Sequence, residues 1–239
     1  MRPELTVVIP AYNEEPRLGA SLQTICAHLE RGGRPAEILV VDDGSRDRTS
    51  AVAEDFAPRG VRVLRQEPNQ GKGAAVRRGL RASRGARVLI SDADLSTPIE
   101  ELDRLEQHLA EAPVVLGSRA VAGARLVRRQ PFYREAMGKV FNRIVQITAV
   151  GGVRDTQCGF KLLDGEVARA LAEHLITDGF AYDVELVWLA RRFGHRVAEI
   201  GVAWENSPSS RVQPLLDPPR MLLEIARFRW HHRRLDARS

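Results

Sequence analysis

The sequence predicts an α/β fold, a mostly parallel sheet with helices on both faces. Three observations predict it. Short, strongly apolar runs alternate with segments whose apolar residues recur every three or four positions. The runs show little polar alternation, so both of their faces are buried, as in parallel sheets. Each run also ends in a polar or acidic cluster. With 239 residues, 44% of them hydrophobic and 28% charged, the chain can bury a core and fits neither a disordered nor a fibrous sequence.

Leu5-Thr6-Val7-Val8-Ile9 reads as the first strand. Leu18, Leu22, Ile25, Cys26 and Leu29 then follow at helical spacing until Gly32-Gly33 stops the helix, which makes Cys26 a core residue. Residues 38–41 form a second strand and 46–56 a helix. A third strand over 61–64, a helix over 71–83 and a fourth strand over 87–90 continue the rhythm. A helix opens at Thr97-Pro98 with Glu100 and Glu101 in its first turn, where proline and acids suit the positive end of the helix dipole. Residues 114–116 make the fifth strand.

After Gly117 the rhythm breaks into a polar, arginine-rich loop. An amphipathic helix over 132–149 follows, with Val140, Phe141, Ile144, Val145 and Thr148 on its apolar side. Then come a strand near 160–163, a helix over 182–193, a strand over 197–204 and a last helix from Pro219. There is no internal repeat and no low-complexity linker, so one domain over 1–239 is expected. Within it, residues 1–118 form one half, 119–217 a second, and 218–239 a basic amphipathic helix.

No run approaches the roughly 20 apolar residues that cross a bilayer, and the N-terminus leads straight into a strand pattern. Cys26 and Cys158 sit in no CxxC or Cys/His metal spacing, so a reducing cytoplasm is expected. The formal charge of +5 is unevenly placed. Between Gly117 and Arg143 stand seven cations (Arg119, Arg125, Arg128, Arg129, Arg134, Lys139, Arg143) against Glu135 alone, a local +6 that leaves −1 for the remainder. Such a segment suits an anionic partner, whether phosphate, lipid headgroup or nucleic acid, or is a solvated arginine-rich face.

In a doubly wound sheet, ligands bind at the carboxyl ends of the strands. Those ends here are Pro10-Ala11-Tyr12-Asn13-Glu14-Glu15, Asp42-Asp43-Gly44-Ser45, Asn69-Gln70-Gly71-Lys72-Gly73 and Asp92-Ala93-Asp94. Acidic side chains converging on one edge repel each other unless a cation neutralises them, so a divalent metal is implied. Asp92 and Asp94, directly after an apolar strand, make a hard-oxygen site for Mg2+ or Mn2+, ions that take one or two carboxylates plus substrate phosphates. Turn and capping residues are the alternative. Asp42 and its neighbours begin the next helix as turn and N-cap, and an acid there can also accept hydrogen bonds from a nucleoside's base or ribose. Gly71-Lys72-Gly73 lacks the GxxxxGK[ST] spacing of a P-loop. Lys72 either touches a phosphate or is a solvated lysine at a tight turn.

Together the four stretches Val8 to Glu15, Val40 to Ser45, Gly71-Lys72-Gly73 and Asp92-Ala93-Asp94-Leu95 resemble family 2 glycosyltransferases of the GT-A fold. The later Arg154-Asp155-Thr156-Gln157-Cys158-Gly159-Phe160-Lys161, with Gly179-Phe180 and Tyr182-Asp183-Val184-Glu185-Leu186, is similar to the dolichyl-phosphate β-glucosyltransferase branch. The resemblance implies inverting transfer of a hexose, glucose from UDP-glucose, from a nucleotide-diphosphate sugar to a polyprenyl phosphate at the cytoplasmic face of a membrane. Carried over residue by residue, Pro10, Tyr12, Glu14, Asp42 and Asp43 face the nucleotide, and Asp92 and Asp94 hold its diphosphate through metal, with Asp94 catalytic. Arg119, in Gly117-Ser118-Arg119, and Arg134 match arginines aimed at the acceptor phosphate, and Gln157 is a substrate contact. Ser96 stands where mannosyl relatives often carry glutamine, which leans away from mannosyl transfer. The eukaryotic members carry an N-terminal membrane helix and other relatives C-terminal ones, neither of which is expected here, so attachment is expected to be peripheral, through the protein's own surface, or absent.

A monoester phosphate has a second pKa of about 6 and is mostly dianionic at neutral pH, so it needs positioning rather than deprotonation. Guanidinium groups do that in a bidentate fork. None of the six histidines sits in a motif. Asp155 is the base candidate for the alternative of a soluble or glycan hydroxyl acceptor, and its other role is to anchor the loop before Cys158-Gly159-Phe160. In the last helix Arg220, Glu224, Arg227, His231 and Arg234 oppose Met221, Leu222, Ile225 and Phe228, a pattern for lying in a membrane interface or packing on the body. A nucleic-acid binder using the arginine loop is the remote alternative. It leaves the acidic strand ends unexplained, so nucleic acid is not an expected partner. The sequence sets no oligomeric state.

Overall fold

The computed structural model describes residues 3–128, 142–205 and 217–235. The elements run β1 (Leu5–Ala11), α1 (Glu15–Arg31), β2 (Ala36–Asp42), α2 (Thr49–Glu54), β3 (Val61–Arg65), α3 (Lys72–Ala82), β4 (Arg87–Ile90), α4 (Leu102–Glu106) and β5 (Val114–Ser118). Then follow β6 (Arg125–Arg128), a helical segment α5 over 142–148, β7 (Lys161–Asp164), α6 (Gly165–His174), α7 (Tyr182–Arg192), β8 (Val197–Gly201), β9 (Ala203–Glu205) and α8 (Asp217–His231).

Seven strands form one sheet in the order β3-β2-β1-β4-β7-β5-β8, and β6 pairs with β9 in a second. Every pairing in the large sheet is parallel except those of β7, which runs antiparallel to β4 and β5. The register sets Ala11 opposite Asp42, Val8 opposite Ile90, and Ile90 opposite Lys161. The carboxyl ends of β1, β2, β4 and β5 and the amino end of β7 therefore share one rim.

β1 is buried along its whole length, and alternate residues serve opposite layers, as period-two geometry requires. Leu5, Val7 and Ile9 join Leu18, Leu22, Ile25 and Cys26 of α1 on one face. Val8 joins Val76 and Leu80 of α3 and residues of α6, α7 and α8 on the other. The two apolar layers hold the strands fixed, so the polar rim projects from a rigid support.

Several expectations change. The helix over 46–56 shortens to α2, because Ala57–Arg59 turns as a 3-10 helix and Gly60 follows at φ +86°. The strand over 197–204 divides in two. Residues 122–124 cross so close over Gly201 that a side chain there would strike their backbone, and the chain beyond pairs with β6 instead of β5. Neither β6, hidden in the arginine-rich stretch, nor α6 was among the expected elements; α6 is N-capped by Asp164, whose carboxylate accepts from the amides of Glu166 and Val167. Of the helix over 132–149, only 142–148 lies within the described residues. The apolar side of α8 does not face out: Met221, Ile225 and Phe228 are buried in the core, so the helix packs on the body.

Candidate active site

The β1 and β2 loops are sewn together by their own polar groups. Asn13, at φ +50°, donates its amide to Ser45 Oγ and accepts from the amide of Arg46. Asp42, fully buried at the end of β2, accepts from the Ser45 amide at 2.9 Å and from the Ser50 hydroxyl, with Arg65 Nε at 3.9 Å. Asp43 is buried, and both of its oxygens accept hydrogen bonds. Oδ1 accepts from Gln66 Nε2 and the Gln70 amide, and Oδ2 from Asn69 Nδ2 and the Gly71 amide, at 2.6–2.8 Å. It is the clamp that shapes the loop ahead of α3.

Pro10 is buried inside β1, and Tyr12 stands half-buried just beyond it. Glu14 is buried and paired with Arg17, whose Nη2 donates to Oε1 at 2.8 Å. The same guanidinium lies 3.6 Å from Asp94 Oδ2. Arg17 thus links the β1 loop to the acidic pair after β4, a role missed in the sequence although it lies one helical turn from Glu14.

Asp92 meets Lys72, with Nζ 2.7 Å from Oδ1. Burial pushes the Asp92 carboxyl up, but the adjacent ammonium outweighs it and holds the group below the usual carboxylate range. Lys72 is raised in turn, against desolvation, by Asp92 and then Asp183. The expectation of a solvated lysine is therefore replaced by an ion pair. Gly159 makes room for it, since a side chain there would occupy the space of the Asp92 carboxylate. Beneath lies fully buried Lys161, paired with Asp183 and with the Cys158 carbonyl. A lysine inside an apolar strand was the signal for it in the sequence. Burial pushes the Cys158 thiol up to about 11.

On the neighbouring strand end, Arg119 forms a fork with Asp155. Nε donates to Oδ2 at 2.7 Å and Nη2 to Oδ1 at 2.8 Å, and the Arg119 amide adds a third bond at 3.0 Å. Asp155 is 2% exposed. Burial raises its carboxyl, but Arg119 prevails and holds it below the usual range, so it is a poor proton acceptor at neutral pH. Glu199, missed in the sequence, fixes the loop by accepting from the amides of Arg154 and Asp155 and from Ser118 Oγ. The Arg119 guanidinium lies 5.3 Å from the Trp204 ring centroid. Gln157 extends toward α8, its Nε2 3.7 Å from Met221 Sδ. Arg134 lies outside the described residues.

The rim thus brings together Asp42, Asp92, Asp94, Lys72, Arg119 and Asp155, each compensated by a neighbour. Among the described residues no group of three or more His, Cys, Asp or Glu side chains is gathered to hold an ion. Asp92 and Asp94 do offer two hard carboxylates, which fits a Mg2+ or Mn2+ that completes its shell with phosphate and water.

This sheet order, with acids at its carboxyl rim and an antiparallel strand bringing in a second loop, is the GT-A fold. Solved structures share the fold. Mannosyl-3-phosphoglycerate synthase from Rubrobacter xylanophilus is 24% identical with a TM-score of 0.67, over 99% of this chain and 77% of that one. Glucosyl-3-phosphoglycerate synthase from Mycobacterium tuberculosis, solved with Mn2+ and UDP-glucose, is 20% identical with a TM-score of 0.65, over 94% and 77%. The chain belongs to glycosyl transferase family 2, whose model matches residues 6–171. It is 36% identical over 227 residues to dolichyl-phosphate beta-glucosyltransferase of Homo sapiens, covering 88% of this chain and 70% of that protein. The Drosophila melanogaster protein of the same name is 38% identical with the same coverage.

Proposed function

We propose that this protein is an inverting hexosyltransferase that moves glucose from UDP-glucose to a polyprenyl or dolichyl phosphate, acting peripherally at the cytoplasmic face of a membrane. The names of its curated relatives support the sugar and the acceptor. One observation in the structure carries the choice of acceptor. The carboxylate suited to serve as a base, Asp155, is bound in a fork to Arg119 and stays ionised without proton affinity to spare. A hydroxyl acceptor needs a base; a phosphate dianion does not.

In this mechanism Asp42 and the β1 loop hold the nucleoside, and the diphosphate lies at Asp92, Asp94 and Lys72. A divalent ion held by Asp92 and Asp94 would neutralise charge developing on the departing nucleotide. Lys72 adds a fixed positive charge on the same side. Arg119 uses Nε and Nη2 on Asp155, which leaves its Nη1 donors for an incoming phosphate. Asp155 orients the guanidinium, and Glu199 and the Ser118 hydroxyl orient the loop. Arg134 and Gln157 complete the acceptor side in this proposal. The phosphate oxygen attacks the anomeric carbon opposite the departing diphosphate, which inverts that centre.

The test is direct. Purified protein with UDP-glucose, Mn2+ or Mg2+ and a short-chain polyprenyl phosphate should release UDP and form a β-linked lipid product, resolved by NMR. Asp94→Ala should abolish both. UDP release that persists in that variant, or chelator-treated protein that retains full rate, would overturn the metal-binding assignment.

A further inference from the structure

The outer face of α8 combines exposed apolar side chains with arginines. Its apolar side is consumed by the core, and Glu224 turns inward to accept from the Ala181 amide at 3.0 Å. The outer side carries Leu223 and Trp230, 72% and 67% exposed, the most exposed large apolar residues of the helix. They stand seven residues apart, two helical turns on one face and about 10 Å along the axis. Around them are the exposed arginines Arg220, Arg227, Arg229, Arg233 and Arg234. The remaining acid of the helix, Asp217, is buried at its start. The Arg233 guanidinium lies 4.0 Å from the Trp230 ring centroid and donates to the Trp230 carbonyl.

We infer that this face docks on an anionic bilayer. Leu223 and Trp230 enter the headgroup region, and the arginines pair with lipid phosphates around them. The pattern suits a membrane interface because Trp favours the headgroup level, arginine stems bury while their charges stay wet, and an anionic surface attracts the cations. A protein partner would meet the same two apolar side chains, but five exposed arginines, with neither acid of α8 itself exposed, favour a surface of repeated negative charge. The inward side of the helix touches the candidate site: Met221 meets Gln157, and Glu224 packs on Gly179. Docking would therefore bring the acceptor loop close to the bilayer plane. The inference rests on the lipid-phosphate reading only for its purpose, since docking needs no substrate.

The test is co-sedimentation of the full chain with vesicles of phosphatidylcholine alone and with about one-third phosphatidylglycerol, without nucleotide sugar or acceptor. Binding to the anionic vesicles, weakened by salt and accompanied by a blue shift of Trp230 emission, is expected. Arg227→Gln should weaken it about fivefold, the equivalent of about 1 kcal/mol for one surface arginine. Leu223→Ser should weaken it about tenfold from lost apolar burial. Circular dichroism melts should match the parent, because both side chains are exposed. Equal binding by a Leu223→Ser/Trp230→Ser variant, or equal binding to neutral vesicles, would overturn the proposal. So would a lipid-free dimer, seen by sedimentation, that the same double variant dissolves, since that outcome assigns the face to a second copy. Glucosyl transfer that fails while vesicle binding succeeds would count against the acceptor assignment alone.

Discussion

Asp155→Asn separates positioning from proton transfer. Asp155 is 2% exposed and grips Arg119 through two side-chain bonds of 2.7 and 2.8 Å. Asparagine keeps the shape but removes the charge, leaving the guanidinium without its counter-ion and setting an amide donor against it. Breaking a fully buried pair costs about 3–5 kcal/mol. The Arg119 side chain is 26% exposed, so water recovers part of that, and about 2–3 kcal/mol is the working figure. For a chain of this size that lowers the melting temperature by about 5–10 °C.

Thermal melts and steady-state kinetics with varied polyprenyl phosphate check it. KM for the acceptor should rise more than kcat falls. The acidic limb of the rate profile, set by the acceptor's own pKa of about 6, should stay where it is. The pH sign is also fixed. The folded carboxyl is depressed, so its contribution to stability is present above the unfolded value of about 4 and is lost as pH falls through the folded one. Parent and variant melts should converge in acid. An unchanged melt with kcat reduced about 100-fold or more and the acidic limb lost would identify a general base and refute the positioning role.

Gly159→Ala places a methyl group in the space of the Asp92 carboxylate; UDP-glucose turnover should collapse, and a parent-like rate would show that Asp92 can leave that position freely. Asp43→Asn sets an amide donor against donors of the 66–71 loop and should cost about 1–3 kcal/mol in chemical denaturation, with nucleotide affinity weakened through the loop. Cys158 is buried and its thiol is pushed to about 11, so at pH 8 a thiol reagent should leave it unmodified in the folded protein and label it on unfolding. Because that pKa is raised, stability from the protonated thiol is full below the unfolded value and is lost as pH rises toward 11.

The succession of strands and helices in the first half was legible because its signals are local: a run of apolar residues, a helical period, a polar cluster at the run's end. The buried strands of the parallel sheet made Asp42, Asp92 and Asp94 visible as rim residues. What neutralises each acid was not legible, since the partners come from elsewhere. Lys72 reaches Asp92 across 20 residues and Arg119 reaches Asp155 across 36. Periodicity marks a strand but carries no direction, and the direction of β7 decides the contact between Arg119 and Asp155.

β7 runs against β4 and β5, so the residues before it arrive where the other strands deliver the residues after them. That reversal places Asp155 beside Arg119, Gly159 beside Asp92, and Lys161 opposite Ile90. A parallel strand in the same slot would have sent this loop to the far edge and left the β4 acids facing solvent without a wall. The reversed strand brings the Asp155-held Arg119 to the same rim as Asp92, Asp94 and Lys72. Under the proposed function, a donor diphosphate and an acceptor phosphate would be held by separate charges on that rim rather than compete for one.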